Sequence, residues 1–142
     1  MREVTTTSPE ETAAFGRELA GRLGGGGVVL LSGPLGAGKT LLAKAVFGAL
    51  GADERRVVSP TFTLINRYRA EGEGLPLYHV DLYRTEGPAD LETLGLEEVL
   101  DSGGVVLIEW GEKLGPGWGT PDFRVTIEDL GGEERRLRID PW

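Results

Sequence analysis

The chain has 142 residues, 39% of them apolar and 27% charged, and a net charge of −8. That size and balance fit one soluble globular domain, residues 1–142, and the acidic surplus argues against a protein that grips nucleic acid by itself over a broad surface. Without cysteine there can be no disulfide, thiolate metal site or cysteine nucleophile, and no apolar run is long enough to span a membrane, so a cytoplasmic protein with no membrane partner is expected.

Arg2 to Thr7 is β-like in composition. Ser8-Pro9-Glu10-Glu11 then reads as a helix start: a serine N-cap, proline at the first helical position and acids that complement the positive end of the helix dipole. Phe15, Leu19 and Leu23 give that helix an apolar stripe, and Gly24 to Gly27 are expected to end it. Val28 to Leu31 form the short apolar run of a buried parallel strand.

The next segment carries the strongest chemical signal. Gly33-Pro-Leu-Gly-Ala-Gly38-Lys39-Thr40 fits G-x-x-x-x-G-K-[ST] without a mismatch. It lies between that strand and a stretch in which Leu42, Ala45, Val46, Ala49 and Leu50 recur at helical spacing, which is the context the motif requires. Glycines let backbone N–H groups turn toward an anion, the helix N-terminus adds unpaired N–H groups, the lysine reaches the β- and γ-phosphates, and the threonine hydroxyl can ligate magnesium.

After this helix, "SPTFTLINRY" predicts a strand beyond Pro60. It is also where phosphate-sensing switches place a threonine, and Thr61 and Thr63 are candidates. "EGEGLP" is a turn, so a hairpin with "LYHVDLYR" is expected, with Tyr78, Val80 and Leu82 on one face and His79, Asp81 and Tyr83 on the other. Asp81 is a candidate for holding the ion or a water, whereas His79 reads as a packed or hydrogen-bonded structural residue. Pro88 to Leu100 holds one or two short helices interrupted near Gly95. "GGVVLIEWGEK" is a second buried strand, and Glu109 at its end is the candidate acid of a Walker B strand, placed where the phosphate crevice of a doubly wound sheet opens. "DFRVTIEDL" and "ERRLRIDPW" alternate around Gly131-Gly132 and predict a C-terminal hairpin. The expected fold is α/β: a P-loop NTPase-like, mostly parallel sheet flanked by helices, with antiparallel hairpin additions.

"GPLGAGKT", "SPTFTLINRY", "YHVDLYR" and "LIEW", in this order and over nearly the whole chain, resemble the bacterial TsaE (YjeE) family, the P-loop ATPase of tRNA threonylcarbamoyladenosine synthesis. The resemblance implies ATP and Mg2+ as cofactors. It implies ATP binding by Gly33, Gly36, Ala37, Gly38, Lys39 and Thr40, and magnesium binding by Thr40 and Glu109. It implies catalytic roles for Lys39 and Asp81, with Thr61 as a switch residue, and contacts near the adenine for Thr7 or Ser8 and for Arg135 or its neighbour Arg136. The implied partners are the proteins TsaD and TsaB, with tRNA met only through their complex. One departure is visible, since Gly111 follows Trp110 where proline is common in the family. A small P-loop kinase acting on a nucleoside or metabolite, and a nucleotide-dependent binding module that does not hydrolyse, are the alternative readings.

Overall fold

The computed structural model describes residues 1–34, 36–60, 64–70, 74–83, 85, 88–115 and 117–142. The seven strands β1 (Arg2–Thr6), β2 (Gly27–Ser32), β3 (Ile65–Arg69), β4 (Pro76–Asp81), β5 (Val105–Glu109), β6 (Phe123–Gly131) and β7 (Glu134–Asp140) form one sheet in the order β1-β7-β6-β2-β5-β4-β3. The ladders β6–β2, β2–β5 and β5–β4 are parallel. The outer ladders β1–β7, β7–β6 and β4–β3 are antiparallel, so a parallel core of four strands is extended by the two predicted hairpins and by the N-terminal strand.

The alternation of side chains across these strands assigns the two faces. Val29 and Leu31 of β2, Val105 and Leu107 of β5 and Leu77 of β4 pack with Phe15 and Leu19 of α1 (Pro9–Ala20) and with Leu42, Val46 and Phe47 of α2 (Lys39–Ala49). On the opposite face, Leu30, Val106, Ile108, Val80 and Leu82 pack with Leu91 of α3 (Pro88–Thr93) and Leu96 of α4 (Leu96–Leu100). The expected break near Gly95 is the junction of these two short helices, where Gly95 has φ +73°. Helices α1 and α2 approach closely at Gly16, where a Cβ would sit 2.8 Å from the Cβ of Ala45.

Helix α1 begins as its sequence implies, with Pro9 in the first turn and the Ser8 hydroxyl accepting from the Glu11 N–H. Its end differs from expectation. The helix stops at Ala20 with Gly21 as C-cap, before Gly24 to Gly27. Leu23 is fully buried but lies in the following turn rather than on the helical stripe. Of the glycine run that looked like a stop signal, Gly24 to Gly26 lead into β2 and Gly27 is its first residue. Among the described residues, no helix is long and apolar enough to cross a membrane.

Candidate functional site

The parallel register brings the site together. Leu31 of β2 pairs with Glu109 of β5, and Asp81 of β4 pairs with the same Glu109, so the C-terminal tips of three neighbouring strands are level. The loop from Gly33 to Gly38 leaves β2 at this level and enters α2. A Cβ on Gly33 would lie 2.7 Å from the backbone oxygen of Ile127, so no other residue fits where the loop leaves the sheet. Gly36 and Gly38 have φ of +77° and +107°, and beyond their Cα atoms is open space. Gly38 caps α2 without a capping side chain, leaving N–H groups of the first turn for an anion. This loop and helix end are the predicted strand–loop–helix unit.

Lys39 is 5% exposed. Its Nζ donates to the Gly33 carbonyl at 2.7 Å and lies 3.6 Å from the centre of the Trp110 ring. Burial pushes its pKa below the ordinary lysine value, opposed by the charges of Glu109, Glu112 and Asp81. Desolvated in this way, the ammonium interacts strongly with any phosphate that enters.

A polar chain runs beside it. The hydroxyls of Thr40 and Ser59 are hydrogen-bonded to each other, Ser59 Oγ donates to Glu109 Oε2 at 3.4 Å, and His79 Nε2 is bonded to the same oxygen. Glu109 is 4% exposed. Asp81 accepts the Tyr83 N–H at 2.9 Å, and burial is the main force raising its carboxyl above the usual aspartate range, with the Glu109 charge adding to it. Thr40, Ser59, Asp81 and Glu109 line one cleft of about 400 Å³ together with Gly36, Gly38 and Lys39. Hydroxyl and carboxylate oxygens of this kind suit a hard cation such as magnesium. Among the described residues no group of three or more acids, histidines or cysteines could hold a metal ion.

Trp110 walls the cleft. It adopts φ +60°, its ring is tilted against Tyr83 at 4.9 Å between centroids, and Lys113 ties the backbone of Tyr83 and Thr85 to the same corner. Gly111 after it has a packing role: a Cβ there would come within 2.6 Å of the Leu30 Cβ. The turn therefore lies directly on β2.

A second recess of about 180 Å³ lies across the loop, sharing Gly36, Gly38 and Leu41 with the cleft and lined further by Pro9, Thr12, Ala37, Glu133 and Arg135. Arg135 Nε donates to Ala37 O at 3.0 Å, and its Nη1 reaches Asp129 and the carbonyls of Gly132 and Glu134. Arg135 thus braces the phosphate loop from the C-terminal hairpin. Arg136 points elsewhere, pairing with Glu128 at 3.2 Å.

Of the residues singled out in the sequence, Gly36, Gly38, Lys39, Thr40, Asp81 and Glu109 meet at the cleft, and Ala37 and Arg135 meet at the recess. Thr7 and Ser8 line neither. Thr7 Oγ1 donates to Glu11 at 2.7 Å and Ser8 caps α1, while Pro9 and Thr12 from the same junction face the recess. Thr61 and Thr63 lie outside the described residues. Sequence reasoning passed over Ser59, Tyr83, Thr12 and Glu133. Ser59 stands in the very motif singled out for its threonines, but its bond to Glu109 spans 50 residues and needs the strand order to be known.

Residues 6–137 match the family of the threonylcarbamoyl adenosine biosynthesis protein TsaE. The tRNA threonylcarbamoyladenosine biosynthesis protein TsaE of Bacillus subtilis is 40% identical over 132 residues, covering 93% of this chain and 80% of its own length. The protein of the same name from Mycobacterium tuberculosis is 37% identical over 147 residues, covering 97% and 86%. A crystal structure of Bacillus subtilis YdiB superposes with a TM-score of 0.73 at 32% identity, covering 96% of this chain and 82% of that one.

Proposed function

The chain belongs to the TsaE family of tRNA threonylcarbamoyladenosine biosynthesis proteins, and from that premise we propose that its single domain, residues 1–142, is a cytoplasmic, magnesium-dependent ATPase that supports the modification of tRNA together with TsaB and TsaD. The observation that carries the reading is the convergence of Lys39, Thr40, Asp81 and Glu109 on one cleft above the uncapped N-terminus of α2.

The described residues have roles that their surroundings support, and Thr61 takes the role that the family resemblance implies. The glycine loop offers backbone N–H groups to the phosphates. Lys39 leaves the Gly33 carbonyl for the β- and γ-phosphates, exchanging a neutral acceptor for charged ones. Thr40 and Glu109 hold magnesium, which when bound neutralises charge on the phosphate oxygens. Asp81, beside Glu109 on the next strand, orients a water or the ion's water shell. The recess beyond Gly36, walled by Arg135 and Pro9, receives the base. Thr61 acts as the switch residue that reports the γ-phosphate. With hydrolysis slow in the isolated chain, TsaB and TsaD stimulate turnover, and tRNA is met only through their complex.

The test is ATP turnover with and without magnesium and with and without TsaB and TsaD, following γ-labelled phosphate. Label released only as inorganic phosphate, with turnover that needs magnesium and rises with the partners, is the expected result. Label transferred to a small acceptor would make the protein a kinase, and tight ATP binding without turnover would make it a binding module.

A further inference from the structure

His79 is the one histidine of the chain and is completely buried. Its ring packs against Phe47, with centroids 5.9 Å apart, and packing of that kind would be served as well by a leucine. The two nitrogens have very different surroundings. Nε2 is hydrogen-bonded to Glu109 Oε2, whereas Nδ1 is sealed from solvent with no hydrogen-bond partner among the described residues. A buried polar atom without a partner costs free energy, so a residue retained only to fill volume would do better without it.

The sheet explains why the ring meets that oxygen. His79 pairs with Leu107 and Asp81 pairs with Glu109, so His79 lies one pleat below Asp81 on the face that carries Glu109. Glu109 therefore has an acid beside it and an imidazole beneath it. Its Oε2 accepts from His79 below and from Ser59 at 3.4 Å. Its Oε1 has no hydrogen bond among the described residues, in a residue that lines the cleft. The carboxylate is held by one oxygen and presents the other.

We infer that His79 is a positioning residue for the cation-binding carboxylate: its Nε2–H anchors Glu109 Oε2, so that Oε1 is the oxygen turned to magnesium in the cleft. This rests on the reading of the site as a magnesium–nucleotide site. The hydrogen-bond network assigns the ring proton. A proton on Nδ1 would be a buried donor with no acceptor, and it would leave the Nε2 lone pair facing a carboxylate oxygen. With the proton on Nε2 the ring makes one strong charge-assisted bond and hides only a lone pair. Without this anchor, Glu109 would keep only the long bond from Ser59 and would be free to rotate toward Lys39, whose ammonium already feels its charge.

Three substitutions separate positioning from packing. Glutamine carries an amide N–H near the place of Nε2, asparagine is too short to reach Glu109, and leucine fills the volume without a donor. Affinity for magnesium is read by titrating MgCl2 into protein with a fluorescent ATP analogue. Affinity for the same nucleotide in EDTA and the melting temperature are read beside it. His79→Leu and His79→Asn should weaken magnesium binding by about tenfold to a hundredfold, the usual effect of removing an outer-sphere partner, while His79→Gln recovers most of it. Nucleotide affinity in EDTA should stay unchanged in all three. Nitrogen-15 NMR of the metal-free wild type should show the Nε2–H tautomer. If His79→Leu does not fold, the glutamine–asparagine contrast carries the same test. Equal magnesium affinity in wild type and the donor-less variants, parallel losses in magnesium and EDTA, or a ring protonated at Nδ1 would each overturn the inference. A wild type whose nucleotide binding ignores magnesium overturns the ATPase reading and this inference together. A magnesium-dependent wild type with an indifferent His79→Leu overturns this inference alone.

Discussion

Strands β2, β5 and β4 are covered on both faces, by α1 and α2 on one side and by α3 and α4 on the other. Strands β6, β7 and β1 bury one face only; buried and exposed residues alternate over Arg124 to Glu128 and Leu137 to Asp140, and the alternation breaks at the bulge near Asp129. Closed above and below, the first half has one polar exit, along the strand axes at their C-terminal tips. Its charges appear there: Lys39 and Glu109 are buried and Asp81 is half-buried, and each has a specific partner. The second half spreads its charges over an open face as ion pairs such as Arg138–Glu3 at 3.0 Å and Arg136–Glu128 at 3.2 Å. In the first half a charge is costly to bury and hard to replace; in the second it is solvated and interchangeable.

Lys39→Ala should break that comparison most sharply. The substitution removes a desolvated charge that the proposed function turns to the phosphates, and losses of this kind amount to about 2.7–4 kcal/mol, or two to three orders of magnitude in turnover. The fold should survive, since the side chain ends on a loop carbonyl and an aromatic face rather than in the packed core. The measurement is steady-state ATPase rate with circular dichroism on the same sample. A well-folded variant with wild-type turnover would end the assignment of the phosphate loop.

Arg135→Ala probes the seam between the halves. It belongs to the open hairpin by position but donates to Ala37 O in the phosphate loop. Losing it leaves loop carbonyls without their charged donor, which costs about 1.5–3 kcal/mol per such bond. A drop of roughly tenfold to a hundredfold in nucleotide affinity is expected, read by titration with a fluorescent analogue. Little change would reduce Arg135 to one more hairpin cation.

How much of this was legible beforehand follows from the same division. The runs Val28–Leu31 and Val105–Ile108 announce strands shut on both faces, and the alternation around Gly131 announces the open hairpin, because hydrophobic patterning records burial directly. The strand–glycine loop–helix unit and the place of Glu109 at a strand end were legible because their spacing is local. Arg135 holding Ala37 from 98 residues away, and Ser59 meeting Glu109 from 50, were not, because those contacts depend on which strands become neighbours. The end of α1 was misplaced for a different reason. Gly21 ends the helix in an ordinary right-handed conformation, and of the conspicuous run after it Gly24 to Gly26 lead into β2 and Gly27 begins it. His79 read as a packed or hydrogen-bonded structural residue, and it is both; that its partner is Glu109 of the neighbouring strand was invisible in one dimension.

Asp81→Asn sharpens the account of buried charge by its pH dependence. Burial raises the Asp81 carboxyl above its ordinary value of 3.8, so the folded protein holds that proton more tightly than the unfolded chain does. The stability this contributes is present below pH 3.8 and is lost as pH rises through the raised folded value. In EDTA the asparagine variant should therefore melt above wild type at neutral pH, with the gap closing as pH falls toward 3.8, while its turnover is reduced. Thermal melts across that range decide the matter. A variant less stable than wild type at pH 7 would mean that Asp81 is held by interactions stronger than its burial.

Glu3→Gln, the smallest expected effect, tests the other side of the comparison. Glu3 of β1 accepts from Arg138 Nε at 3.0 Å and lies 3.5 Å from Arg136 Nε, with its side chain 45% exposed. The pair looks well made, yet water and salt compete for both partners, and ordering two long side chains offsets much of the attraction. Glutamine keeps the length and can still accept from Arg138 through its amide oxygen, so the register of β1 on β7, set by Val4 opposite Leu137, should hold. Arg136 retains Glu128. The melting temperature should shift less than for any substitution above, the remaining shift should fade as salt is raised, and nucleotide affinity should not change. A large loss of stability that persists in high salt would show that the open half, too, depends on particular charges, and the contrast between the two halves of the sheet would have to be given up.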